Sequence, residues 1–170
     1  MTPREKTLPL PGEVFGVAGC TAFLIAPAQS RRPRRWVWYA PALPTLPGPE
    51  EVCFALRLPG WGLLYFGGDA RLDRAVLAAL RRRLGAFRLV FLPVGGTRIF
   101  GRRTVMDPAG AAEAARILGA AWVVPIHEGG IWLPVPPASW HPGRARHLPP
   151  LLQGEGPRVR LLAEGEEGEF

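Results

Sequence analysis

Short apolar blocks dominate the first half of the chain, and a helical period takes over in the second. Glu13–Val17 and Thr21–Ile25 are apolar runs separated by Ala18-Gly19-Cys20, which predicts a hairpin. Pro27–Arg35 reads as a polar, arginine-dense loop and Trp36–Tyr39 as another short strand. Four prolines between Pro41 and Pro49 exclude that stretch from a sheet interior. Val52–Leu58 and Leu63–Phe66, split by Pro59-Gly60-Trp61-Gly62, predict a second hairpin. From Asp69 to Leu84 the apolar residues Leu72, Val76, Leu77, Leu80 and Leu84 recur at helical spacing, with arginines beside the stripe and Gly85 as a stop.

Arg88–Leu92 is a compact strand of the fully buried type. Asp107 followed by Pro108 marks a helix start, Ala111–Leu118 is rich in helix formers, and Gly119 ends it. Ala121–Ile126 is again strand-like. A short helix at Leu148–Gln153 and a strand at Arg158–Leu162 precede an acidic tail. The alternation of strand and helix in this half predicts a mixed sheet with helices packed on one face, an α/β (α+β) chain. There is no internal repeat, and 170 residues suit a single domain spanning 1–170.

Composition narrows the setting. Hydrophobic residues make up 48% and charged residues 21%, a globular mix that argues against disorder. Lys6 is the sole lysine among 21 basic residues, and asparagine is absent. Arginine, proline and leucine abundance with few amides suits a heat-adapted or GC-rich source. The net charge of +7 permits an anionic partner without demanding one. Cys20 and Cys53 lack metal-ligand spacing and sit in apolar surroundings, the usage of buried thiols in a reduced, cytoplasmic protein. The longest uncharged stretch, Val14 to Ser30, is too short and too interrupted by glycine and proline for a membrane span.

Three aspartates and three histidines bound the acid–base and metal chemistry. Gly67-Gly68-Asp69 ends an apolar strand and opens a helical segment, which puts a carboxylate where open α/β sheets build sites. Pro125-Ile126-His127 does the same for an imidazole, and the two at neighbouring strand ends could share a metal. Asp69 also has the position of a helix N-cap. Asp73 reads as a first-turn dipole partner, Asp107 as a cap, and His141 and His147 as surface residues of a proline- and arginine-rich loop. Arg31, Arg32, Arg34 and Arg35 beside Trp36, Trp38 and Tyr39 are the candidate anion or nucleic-acid contacts, with a solvated loop leading into a half-buried strand as the plainer account.

These segments, taken in order, resemble the metallo-β-lactamase superfamily, in its branch similar to N-acyl-phosphatidylethanolamine phospholipase D and the sugar-lactone hydrolases. Pro27-Ala28-Gln29-Ser30 resembles the branch's Pro-Ala-Gln-His turn, and Tyr65-Phe66-Gly67-Gly68-Asp69 its Tyr-Phe-Ala-Gly-Asp. Leu92-Pro93-Val94-Gly95 is similar to Leu-Pro-Ile-Gly, and Met106-Asp107-Pro108 through Leu118-Gly119-Ala120 to the helix that follows. Pro125-Ile126-His127 is like the strand that ends in the last metal histidine, and Val159 to Glu166 resembles the family's ending. The resemblance implies metal ligands at Asp69 and His127. It also implies hydrolysis of an ester, amide or phosphodiester by a metal-activated water.

The departures are as informative. His-x-His-x-Asp-His, the superfamily's principal signature, occurs nowhere in the chain, and Ser30 stands where the branch has a metal histidine. The chain therefore reads as the C-terminal part of the fold, truncated, with a degenerate metal site. The favoured expectation is a non-catalytic protein that acts through self-association or through a partner chain covering the exposed sheet face. No cofactor is expected on that reading. The alternative is a metal-dependent hydrolase of esters, lactones or phosphodiesters whose site is completed across a subunit interface, with zinc or another divalent metal. A third reading is a nucleic-acid-binding module, with nucleic acid the less favoured partner.

Overall fold

In the computed structural model the described residues are 12–17, 20–25, 53–99, 101–128, 139–154, 156–163 and 165–170, with side chains described from Cys53 onward, Ser139 excepted. In chain order the strands and helices are β1 (Gly12–Val17), β2 (Cys20–Ile25), β3 (Phe54–Leu58), β4 (Gly62–Phe66), α1 (Arg74–Leu84), β5 (Leu89–Pro93), β6 (Arg98–Ile99), β7 (Arg102–Arg103), α2 (Pro108–Leu118), β8 (Trp122–Ile126), β9 (Ser139–Trp140) and β10 (Arg158–Val159). Seven strands form a mixed sheet in the order β1-β2-β3-β4-β5-β8-β10, and β7-β6-β9 form a small second sheet.

Both predicted hairpins are present. β1 pairs antiparallel with β2, with Val17 opposite Cys20, and β3 pairs antiparallel with β4, with Leu58 opposite Gly62. The turn between β3 and β4 is closed by Trp61 N–H donating to Leu58 O at 3.1 Å. From β4 onward the pairing is parallel, β4 with β5, β5 with β8 and β8 with β10. Parallel neighbours need crossover connections, and α1 and α2 supply those between β4, β5 and β8.

One face of the sheet carries the main core. Tyr65, Val90, Leu92 and Val123 point from β4, β5 and β8 toward Leu77 and Leu80 of α1 and the alanine face and Leu118 of α2. Tyr65, Leu92, Val90, Val123 and Leu118 are essentially inaccessible to solvent. Burial of such side chains contributes roughly 1.5–3 kcal/mol each. The alanines of α2 let that helix sit close to the sheet, which explains why a helix so poor in large residues packs firmly. The opposite face is apolar too, as expected for strands with parallel neighbours. Leu89 and Val124 are buried there, and Phe66 and Phe91 pack at 5.7 Å. The helices thus lie on one face of a mixed α+β sheet.

Several boundaries differ from the sequence expectation. α1 begins at Arg74, not at Asp69, because Asp73 is the residue whose carboxylate accepts from the Val76 amide at 3.0 Å. Asp73 is therefore the N-cap, and Asp69 lies outside the helix. Asp107 caps α2 as expected, accepting from Gly110 N–H at 2.9 Å, and Gly119 ends it in the left-handed conformation at φ 60°. Instead of a helix at Leu148–Gln153, two short 3₁₀ turns run over Ala145–His147 and Pro149–Leu152, since Pro149 and Pro150 remove the amides an α-helix would use. The last strand pairs only at Arg158–Val159. Cys53 is half-buried rather than buried, with its Sγ 3.7 Å from Gly67 O. Ser30, the arginine run at 31–35 and the predicted strand Trp36–Tyr39 lie outside the described residues. Among the described residues no helix is long and apolar enough to cross a membrane.

Candidate metal centre at the strand ends

β4, β5 and β8 are consecutive parallel neighbours, so their C-terminal ends emerge side by side. β4 is followed by Gly67-Gly68-Asp69. A Cβ at Gly67 would lie 3.2 Å from Phe91 O and 3.3 Å from the Pro93 ring, so only glycine fits this close approach to β5 without displacement. Gly68 then turns the chain at φ 52°, and Ala70 N–H closes the turn on Gly67 O at 2.9 Å. That turn lifts Asp69 clear of the sheet.

β8 ends at Ile126, and His127 follows it. His127 is the one non-glycine residue with positive φ among the described residues, at 60°. A left-handed backbone costs an L-residue about 1–2 kcal/mol, so surrounding contacts must hold it. One of them is the loop after β5. Val94 N–H donates to Ile126 O at 3.0 Å, and a Cβ at Gly95 would lie 2.6 Å from His127 O. The Val94-Gly95 backbone is thus pressed against the His127 peptide.

With those turns set, His127 Nε2 contacts Asp69 Oδ1 directly, reaching across the end of β5. Both side chains are substantially exposed, 41% for His127 and 66% for Asp69. The hydrogen bond from His127 lowers the Asp69 pKa below its ordinary value, against a smaller opposing effect of burial. The same bond raises that of His127. The structure therefore brings together the two metal ligands expected from the sequence.

A carboxylate oxygen and an imidazole nitrogen at one strand-end cluster are suitable donors for zinc or a similar divalent ion. Catalytic zinc sites take three or more protein ligands. Among the described residues no group of three or more histidine, cysteine, aspartate or glutamate side chains converges. Asp69 and His127 thus suit a divalent metal in kind, as two donors.

The other candidates are accounted for separately. Asp107 caps α2 and pairs with Arg103 at 2.8 Å. His147 is exposed in a 3₁₀ turn. His141, expected at the surface, is instead half-buried, with Nδ1 2.9 Å from Thr97 Oγ1 and Nε2 buried without a partner. It is held there because Gly143, two residues on, packs against the Val94-Gly95 backbone and donates to Gly95 O at 2.9 Å. The sequence signal for this contact, Gly95-Gly96-Thr97 facing His141-Pro142-Gly143, lies in pairing two glycine-containing turns 44 residues apart.

No protein-family profile matches the chain. Over 119 residues it is 32% identical to a UPF0173 metal-dependent hydrolase of Solibacter usitatus, covering 70% of this chain and 45% of that protein. The chain is thus similar in sequence to a metal-dependent hydrolase over most of its own length. The chain spans less than half the length of the curated hydrolase it matches. Solved structures similar to it include a metallo hydrolase from the hyperthermophilic archaeon Ignicoccus hospitalis, at 27% identity and TM-score 0.47, covering 63% of this chain and 40% of that one. A structure from Thermotoga maritima, assigned as a Zn-dependent hydrolase of the metallo-β-lactamase superfamily, is 12% identical with TM-score 0.49, covering 88% and 93%.

Proposed function

We propose that this metallo-hydrolase relative contributes Asp69 and His127 to a divalent-metal hydrolase centre whose remaining ligands come from a partner chain, a second copy of itself being the simplest. The observation that carries this reading is the meeting of the Asp69 carboxylate and the His127 imidazole at adjacent strand ends. The similarity to a metal-dependent hydrolase supports it. A bound divalent metal would supply Lewis-acid activation of water for attack on an ester, lactone or phosphodiester.

The chain's own residues have defined parts in that scheme. Gly67 and Gly68 place Asp69 beyond the edge of the sheet, and the Val94-Gly95 segment fixes the His127 backbone. The direct His127–Asp69 contact brings both donor atoms to one point, where a divalent metal would replace the proton that His127 Nε2 shares with the Asp69 carboxylate. Partial exposure of both groups leaves that point open to a partner and to substrate.

A second reading is a non-catalytic protein in which the same pair is a structural clasp between the loops after β4 and β8. It is favoured by the two donors being satisfied by each other, with no third donor beside them among the described residues. Elemental analysis of the purified protein decides between them. Stoichiometric zinc, manganese or iron that disappears in both Asp69→Ala and His127→Ala, together with metal-dependent cleavage of an aryl ester, a lactone or a bis-aryl phosphate, supports the hydrolase. Metal-free protein that stays metal-free when zinc is supplied, in every oligomeric fraction, overturns it in favour of the clasp.

A further inference from the structure

The small sheet β7-β6-β9 has no role in the site above. Its register places Arg98 opposite both Arg103 on β7 and Trp140 on β9. Directly opposed residues of antiparallel strands project from the same face. One face therefore carries the row Arg103, Arg98, Trp140, and the other carries Arg102 and Ile99. Trp140 is 64% exposed, and no ring or cation–π contact engages it among the described residues. Arg98 donates a long hydrogen bond, 3.4 Å from its guanidinium to Gly101 O within the hairpin turn.

The row continues inward. Arg103 also lines an open cavity of about 450 Å³ together with Arg71, Arg74 and the first turn of α2. Two of these guanidinium groups are braced by carboxylates, Arg103 by Asp107 and Arg74 by Glu113. The bracing lowers the net charge of the cavity but fixes the direction of the remaining N–H donors. The result is a strip with an exposed indole at one end and arginine donors along its length, on a chain of net charge +7.

We infer that this strip binds single-stranded nucleic acid, with Trp140 stacking on a base and Arg98 and Arg103 contacting phosphates. An indole flanked by guanidinium groups suits alternating flat bases and anions. A duplex keeps its bases stacked internally and offers nothing for the indole to stack on. The inference is independent of the proposed hydrolase, because none of these residues is a metal donor candidate.

Fluorescence anisotropy of labelled oligothymidylate and oligouridylate tests it, with EDTA present so that no metal contributes. Binding that falls about tenfold in Trp140→Ala, is largely kept in Trp140→Phe, and weakens severalfold in Arg98→Gln supports the inference. Arg98→Gln should also reduce the slope of log affinity against log salt by about 0.7, one phosphate contact on a single strand. Arg102→Gln, on the opposite face of the hairpin, should change little. These exposed substitutions should leave the melting curve followed by circular dichroism in place. The inference is overturned if the wild-type protein binds neither oligonucleotide, if Trp140→Ala binds as wild type, or if a duplex competes as well as the single strand. Loss of binding on changing Arg31, Arg32, Arg34 and Arg35 to glutamine, with Trp140→Ala unaffected, would also overturn it.

Discussion

The imidazole of His127 and the carboxylate of Asp69 meet over the end of β5, although their own strands, β8 and β4, do not touch each other. The intervening strand is followed directly by Val94-Gly95, whose backbone lies against the His127 peptide, so the pair depends on three strand ends rather than two. Each of those dependences can be measured.

The pair should stabilise the fold within a defined pH window. Asp69 has a lowered pKa, so its contribution is present above the ordinary 3.8 and is lost as pH falls through the lowered value. His127 has a raised pKa, so its contribution is complete below the ordinary 6.5 and is lost as pH rises through the raised value. The full contribution therefore lies between 3.8 and 6.5. Both groups are more than a third exposed, so solvent screening holds it below about 1 kcal/mol. Melting temperatures of wild type and His127→Gln across pH should differ most inside that window and converge at its alkaline side. An NMR titration of the His127 ring should give a pKa above 6.5 in wild type and a lower one in Asp69→Asn.

The left-handed backbone at position 127 predicts an order of stabilities. His127→Gly and His127→Ala both remove the imidazole, but only glycine relieves the strain at φ 60°. His127→Gly should be the more stable of the two by about 1 kcal/mol in urea unfolding. Equal stabilities would show that the backbone at 127 carries no strain.

Gly95→Ala should harm both fold and site. The added methyl would lie 2.6 Å from the His127 carbonyl oxygen, a backbone atom that cannot swing aside. Overpacking of this kind costs about 1–3 kcal/mol. The His127 ring resonances should shift with it, since its peptide is the part displaced. A variant as stable as wild type with an unchanged His127 spectrum would contradict the close approach.

Asp73→Ala and Asp107→Ala should each cost about 1 kcal/mol by loss of an N-cap. Asp69→Ala should leave helix content by circular dichroism unchanged, because α1 starts at Arg74. A fall in helix content in Asp69→Ala would restore Asp69 to the role of a cap.

Much of this was legible in the sequence because it rests on local chemistry. The β3–β4 hairpin follows from Pro59-Gly60-Trp61-Gly62, and α2 from Asp107-Pro108 at one end and Gly119 at the other. The juxtaposition of Asp69 and His127 was legible as two apolar strands each ending in a polar group. The start of α1 was not, since Asp69 and Asp73 are one turn apart and both suit a cap. The choice is made by the Gly67-Gly68 turn, which uses Asp69 before the helix begins. The small sheet was missed because two-residue strands such as Arg98–Ile99 carry no period, and their pairing with Ser139–Trp140 spans about 40 residues. The burial of His141 was likewise set by a distant partner, the Thr97 hydroxyl.

The offset between Asp69 and Asp73 has a consequence for how such a chain can change over time. One carboxylate secures the helix and another, four positions earlier, faces the strand-end cluster. Substitution at 69 therefore leaves the helix cap in place, so the strand-end donors can be lost, regained or exchanged while the architecture is inherited intact.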